Sequence, residues 1–320
     1  MLKKILLSSF VLGISCSVMA KVPTVVTTIK PLHSLVSQVM QGVGEPELLI
    51  KEGSPHGYSL KPSDVQNLSN ADLLMWVSDD LETFMPKTVE KLGDKAQSIV
   101  WQEIPEMHLL KNRSGGLWEE EDDNDHHEHG HHHDHDHDHD HDHGHHHHHG
   151  EYNPHLWLST ESAVKLIRAT AGKLSEMDSE HAEQYQANAK VALEKLGTLK
   201  DTISQQLKPV ENKPYMVFHD AYPYFEEEFY LHPIGVVRAD PEHEPGAKRI
   251  AEIHQLFKEN GVRCVFNEPQ FPSKLTQKLV AGTSVKTAVL DPIGADLKAG
   301  SKLYEQLMKN LSNHLENCLK

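Results

Sequence analysis

From residue 179 to residue 207 the chain runs without a proline through Ala, Gln, Glu, Leu and Lys, with only Gly197 to weaken it. Most of these residues lose little side-chain freedom in a helix, so the stretch reads as one continuous helix, about 40 Å long at the usual rise per residue. Its position constrains the fold more than any other feature. The two halves of the chain on either side of it are joined by a rod, which limits large hinge closure.

In both halves the same grammar repeats, a short apolar run and then a helical pattern. In the first half the spacing predicts strands over 24–29, 47–50, 73–77 and 96–101. Helices are predicted over 31–41, from the capping-box spacing of Ser63 and Gln66, and from Ser159 to about 174. In the second half it predicts strands over 215–218, 235–237, 264–267 and 286–290, with helices over 221–230, 245–260, 273–281 and from Lys302 onward. Strands alternating with helices in this way imply parallel sheets covered by helices. The expected class is therefore α/β, with two lobes, each a mostly parallel sheet flanked by helices, joined by one long rigid helix. The expected divisions are a leader over 1–20, a first lobe over 21–176, the linking helix over 178–208 and a second lobe over 213–320.

The leader reading rests on Lys3 and Lys4, the apolar run 5–14 and the small residues ending at Ala20, after which cleavage is expected. The rival, a lipoprotein anchored at Cys16, is poorly matched by Gly13, Ile14 and Ser15. No other segment approaches eighteen apolar residues, so the mature chain is expected to be soluble in the periplasm. Cleavage leaves Cys264 and Cys318, and an even pair in an oxidising compartment reads as a disulfide tying the terminal helix to a strand.

An insert over 119–150 interrupts the first lobe. Sixteen of the 26 histidines lie between His126 and His149, and between Glu119 and Asp142 there are twelve acids with no Lys or Arg. No apolar side chain occurs between Trp118 and Tyr152, so the segment cannot build a core and is expected to be disordered. Imidazole and carboxylate are ligands of divalent transition metals, which makes the insert a low-affinity collector, with zinc the first expectation. Most of the net charge of -16 resides there and says little about the folded body.

Ten histidines remain outside the insert. His33, His181, His254 and His314 fall in helices, where an ordinary surface or half-buried imidazole suffices, His108 adjoins the insert, and His232 and His243 lie near prolines and are ambiguous. His56 lies in a Gly- and Pro-marked loop after a strand, His219 ends the apolar run 215–218, and His155 precedes the helix capped by Ser159. Asp291 comes directly after the run 286–290. Ligand sites in open parallel sheets gather beyond the carboxyl ends of strands. Together these four offer three neutral imidazoles and a carboxylate, two ligands from each lobe, a tetrahedral set suited to zinc.

The segments Ser54-Pro55-His56-Gly57-Tyr58, Asn153-Pro154-His155-Leu156-Trp157, Phe218-His219-Asp220-Ala221-Tyr222 and Asn267-Glu268-Pro269-Gln270-Phe271 resemble, in order, the signatures of the periplasmic metal-binding proteins that feed ABC importers, the cluster A-I solute-binding proteins. The resemblance covers essentially the whole mature chain. It implies two α/β lobes joined by a rigid helix, metal held in the cleft by His56, His155 and His219, and delivery to an ABC permease and its ATPase in the inner membrane. Pro55 stands where some zinc-binding members carry a carboxylate, which leaves the fourth position to Asp291 or water. His219 stands where manganese-binding relatives often have a carboxylate, and nitrogen donors favour zinc over manganese.

A monomeric zinc carrier is thus the expected function. The alternatives are a periplasmic metal buffer or chaperone, a manganese-specific binding protein and a metal-dependent adhesin. A zinc hydrolase is disfavoured, since no HExxH pairing occurs and no obvious general base is placed by sequence, the nearest candidate, Glu268, being a Pro-flanked loop glutamate of a kind more often structural. There is no phosphate-cradling glycine loop and no basic stripe, so no nucleic-acid partner is expected.

Overall fold

The computed structural model describes residues 21–115, 118, 150–239, 241, 243–272 and 274–320. The leader over 1–20 and all but the last residue of the insert over 119–150 lie outside the described residues, as does Ser273.

Two parallel sheets form. In the first, β1 (Val25–Thr27) lies between β2 (Glu47–Leu48) and β3 (Leu73–Trp76), and β4 (Gln97–Val100) closes the far edge, giving the order β2-β1-β3-β4. The helices between these strands are α1 (Lys30–Val39), α2 (Pro62–Ser69) and α3 (Met85–Leu92), and α4 (Thr160–Met177) comes after the insert. In the second sheet β5 (Tyr215–Met216), β6 (Cys264–Asn267) and β7 (Lys286–Val289) run in that order. Around them lie α6 (Pro223–Glu228), α7 (Ala247–Glu259), α8 (Lys274–Val280) and the terminal α9 (Leu303–Leu319).

The strand expected over 235–237 lies on the outer side of β5 as a parallel bridge between Val236 and Val217, flanked by backbone hydrogen bonds from Ile234 to Tyr215 and from Arg238 to Phe218. With that bridge counted, the second sheet repeats the strand order of the first. The capping box also moves. Lys61 is the N-cap of α2, Pro62 occupies the first turn, and Asp64 accepts the Lys61 backbone N–H at 2.8 Å. Proline has the helical φ built in and no N–H to leave unpaired, so it starts the helix one residue ahead of Ser63. Ser159 does cap α4, accepting from the backbone N–H groups of Glu161 and Ser162.

The rod is α5 (Ala182–Leu207), about 39 Å long at 1.5 Å per residue. Its buried stripe is Tyr185, Ala189, Ala192, Leu196, Leu199, Ile203 and Leu207, at steps of three and four. That stripe packs against α4 and α1 of the first half and α9 of the second. The terminal helix α9 then crosses back onto α1, where the Tyr304 backbone N–H donates to Ser34 Oγ at 2.9 Å. The result is one apolar core running through both halves without a break. Cys264 on β6 and Cys318 on α9 form a disulfide, with Cα atoms 6.0 Å apart, that fastens the second sheet to this seam. A second, smaller core lies on the opposite face of the second sheet, under α7 and α8.

Candidate metal centre

His56 lies on the loop after β2, where its backbone N–H donates to Ser54 Oγ at 3.2 Å. His155 opens a short 3-10 turn ahead of α4, and His219 lies just beyond β5. The three rings meet between the sheets, with centroids 5.1–5.5 Å apart. His155 Nε2 is 3.2 Å from His56 Nε2 and 3.2 Å from His219 Nε2. Two nitrogens on a tetrahedral zinc, each 2.0–2.1 Å from the ion, are about 3.3–3.4 Å apart. His155 is therefore already close to the spacing of a shared ion with each of the other two rings.

The far nitrogens decide what the near ones can do. Asn153 Oδ1 accepts from the His155 backbone N–H at 3.1 Å and from its ring Nδ1–H at 2.9 Å. Glu268 Oε1 accepts from His219 Nδ1–H at 2.7 Å and from the Tyr222 hydroxyl at 3.2 Å. A neutral ring carrying its proton on Nδ1 has a bare lone pair on Nε2. With their protons on Nδ1, His155 and His219 present Nε2 atoms 3.2 Å apart, an arrangement suited to a cation between them. Burial, with the His219 and His56 rings beside it, holds the His155 pKa well below the ordinary imidazole value, so this ring stays neutral. Glu268 is buried and holds the His219 ring from the side away from the point where a dication would sit.

The walls are apolar and small. Trp157 packs its ring 5.0 Å from that of His155 and donates its indole N–H to the Pro292 carbonyl at 2.7 Å, a bond between the halves. Phe271, Pro292 and Ile293 complete a cleft around the imidazoles with a free volume of about 20 Å³.

Asp291 is not brought to the triad. Its Oδ1 accepts from the backbone N–H of Ile293 at 3.1 Å and of Gly294 at 3.0 Å and from Gln270 Nε2 at 2.9 Å, while Oδ2 accepts from Ala295 N–H at 2.6 Å. The carboxylate closes its own turn, in which Gly294 has a φ of 73° that a side chain would strain. Among the described residues the group able to hold a metal consists of His56, His155 and His219 alone. Reading the sequence for ligands missed the two residues that orient the rings, Asn153 and Glu268. Glu268 stands at the end of the apolar β6 just as His219 stands at the end of β5, so the strand-end rule that selected the histidine also pointed to it.

Two α/β lobes sharing a rigid seam, with an imidazole triad where they face each other, two of its rings buried and His56 half-buried, define the class of metal-binding solute-binding proteins. The family model for ZnuA, "Zinc-uptake complex component A periplasmic", matches residues 25–318, and the chain belongs to this family. It is 48% identical over 304 residues to the high-affinity zinc uptake system protein ZnuA of Brucella abortus (strain 2308), covering 92% of this chain and 91% of that protein. To the Yersinia pestis protein of the same name it is 37% identical over 297 residues, with 92% and 91% covered. A crystal structure of ZnuA superposes with a TM-score of 0.73 at 20% identity, over 93% of this chain and 100% of that one. A Zn(II)-bound mutant variant of AdcAII from Streptococcus pneumoniae gives 0.70 at 26% identity, over 92% and 98%. No helix among the described residues is long and apolar enough to cross a membrane.

Proposed function

We propose that this chain captures Zn2+ in the periplasm between its two lobes and hands it to an ABC permease and its ATPase. The observation that carries the reading is the convergence of three imidazoles, from segments far apart in sequence, with His155 Nε2 3.2 Å from the Nε2 of each of the other two, close to the nitrogen spacing on a tetrahedral zinc. His56, His155 and His219 are the ligands. A water molecule takes the fourth position, because the Asp291 carboxylate is already engaged by four donors. Glu268 offsets part of the metal charge through His219 and keeps that ring in the ligating tautomer.

The chain works as a monomer, exported by a leader cleaved after Ala20 and with no catalytic turnover. Its His/Asp-rich insert holds further zinc weakly at high local concentration ahead of the cleft. Manganese is disfavoured by the all-nitrogen protein ligands.

A chelator-buffered zinc titration, at free metal too low to fill the weak sites, tests this. One tight site per chain is expected. A structural zinc site is worth about 10–16 kcal/mol over some four ligands, so His56→Ala, His155→Ala and His219→Ala should each weaken it by more than about a hundredfold. Tight binding that survives all three substitutions would refute the site. Loss of zinc uptake in cells lacking the permease separates a transport component from a buffer.

A further inference from the structure

The two roots of the insert are built from described residues, and both lead to the metal centre. They pair with each other: Lys111 bridges Tyr152 in antiparallel fashion, and Asn112 Nδ2 donates to the Gly150 carbonyl at 2.5 Å. Beyond that pairing each root reaches across to Asp220, the residue immediately after His219. Arg113, on the leading root, donates from Nε to Asp220 Oδ1 at 2.8 Å, pairs with Glu226 at 2.9 Å and stacks 3.7 Å over the Trp118 ring. Asn153, on the trailing root, donates from Nδ2 to the Asp220 carbonyl at 2.6 Å.

The second contact has a consequence for zinc. Asn153 is 1% exposed, and its amide is used at both ends. The oxygen holds the His155 ring and backbone in the first lobe, and the nitrogen holds the backbone beside His219 in the second. Its own main chain is tied down as well, N–H to the Leu110 carbonyl at 2.8 Å and carbonyl to the Tyr224 hydroxyl at 2.9 Å. One planar amide thus spans the gap between two ligands that belong to different lobes.

We infer that Asn153 is a positioning residue that sets the separation of His155 and His219, and that it and Arg113 fasten both roots of the insert to the zinc site. The inference rests on reading the imidazole triad as that site. A planar amide cannot lengthen, so its two hydrogen bonds hold the paired lone pairs at a spacing the ion can close. Alanine at 153 frees the His155 ring to rotate and the Asp220 backbone to drift. Aspartate keeps an acceptor for the ring but puts an oxygen, not a donor, against the Asp220 carbonyl. The two substitutions therefore separate ring orientation from ligand spacing.

The test uses the full mature chain, with chelator-buffered zinc affinity and the visible spectrum of the Co2+-substituted tight site. Asn153→Ala is expected to weaken zinc about ten- to a hundredfold, as loss of a group orienting a metal ligand does, and to reduce the tetrahedral Co2+ absorption. Asn153→Asp is expected to fall between Asn153→Ala and the parent. Parent-like affinity and spectrum in Asn153→Ala would overturn the inference, as would a lowered apo melting temperature with affinity and spectrum unchanged. If Asn153→Ala does not fold, Asn153→Asp decides, with intermediate loss supporting the inference and parent affinity ending it. His155→Ala is the control: tight zinc surviving there means that the triad itself has been misread, whatever Asn153 does.

Discussion

The two sheets share a strand order but not a setting. Every buried apolar residue of β1 and β3 belongs to the large core, which continues through α4, α5 and α9 into the second half. In the second sheet the alternation of side chains divides the strands between two cores. Tyr215, Cys264 and Phe266 face the seam, while Met216 and Val265 face the small core under α7 and α8, with Phe218 and Val237. The first lobe is thus continuous with the seam, and the second is half seam and half an outer layer of its own. The seam leaves little freedom for a hinge, so adjustment around the ion belongs to the outer layer. There Phe218, next to His219, stacks on Phe271 at 4.9 Å, close to Glu268.

The largest expected effect comes from cutting the tie between the second sheet and the seam. Replacing Cys264 and Cys318 together by serine opens a bridge between residues 54 apart in sequence, worth about 4 kcal/mol by loop-closure entropy. Because α9 lies in the seam, both halves should lose stability together, as a single urea transition seen alike by tryptophan fluorescence and far-ultraviolet circular dichroism. Two separated transitions would mean that the seam does not couple the lobes.

Next come paired truncations in the two cores. Leu311→Ala empties a position in the seam at 1% exposure, and Ile253→Ala one in the outer core at 0%. Leu→Ala and Ile→Ala changes cost about 2–5 kcal/mol, more where the surroundings cannot collapse. Leu311→Ala should lie in the upper part of that range and lower global stability. Ile253→Ala should lie in the lower part and show first as faster hydrogen exchange in α7 and α8. Equal costs with global exchange in both variants would erase the distinction drawn between the cores.

How much of this was legible beforehand depends on the kind of signal. The alternating halves, the central helix, the disulfide and the three imidazoles were all readable, because each rests on local pattern or on the strand-end rule. The strand over 235–237 was legible too, since backbone hydrogen bonds from Ile234 through Arg238 pair it with residues 215–218. Asp291 lies at the expected strand end, and the local hydrogen bonds of its carboxylate were less legible. An aspartate followed by Pro, Ile and Gly closes a turn with its own carboxylate. Asn153 could not be read as a bridge, because its partner Asp220 is 67 residues away in sequence and only the packed seam brings the two together.

A smaller effect should appear on adding zinc. If the seam is rigid and the outer layer yields, zinc should slow exchange chiefly over residues 50–58 and 267–272, with no measurable change in radius of gyration by solution scattering. A clear compaction would mean that the lobes close as bodies, against the shared core and the Trp157–Pro292 bond.

The smallest effect, and the one that probes the triad most finely, is the number of protons released per zinc. Ordinary histidines titrate near 6.5, so three exposed rings at pH 6 would together release more than two protons on binding a metal. His155 differs, because burial and its two neighbouring rings push its pKa well down. It enters the complex already neutral and releases none, so the count at pH 6 should fall below two. Calorimetry in buffers of different ionisation enthalpy reads this number directly. The same shift fixes the sign for the metal-free fold. A histidine whose folded pKa is depressed binds fewer protons folded than unfolded, so its contribution to stability is present above about 6.5 and is lost as pH falls toward the lowered value. His155→Asn should therefore flatten the acid side of the metal-free stability profile while abolishing tight zinc. Release of more than two protons at pH 6 would show that His155 is accessible to water and protons in the metal-free protein. The contrast between a sealed seam and a yielding outer layer would then stop short of the metal site.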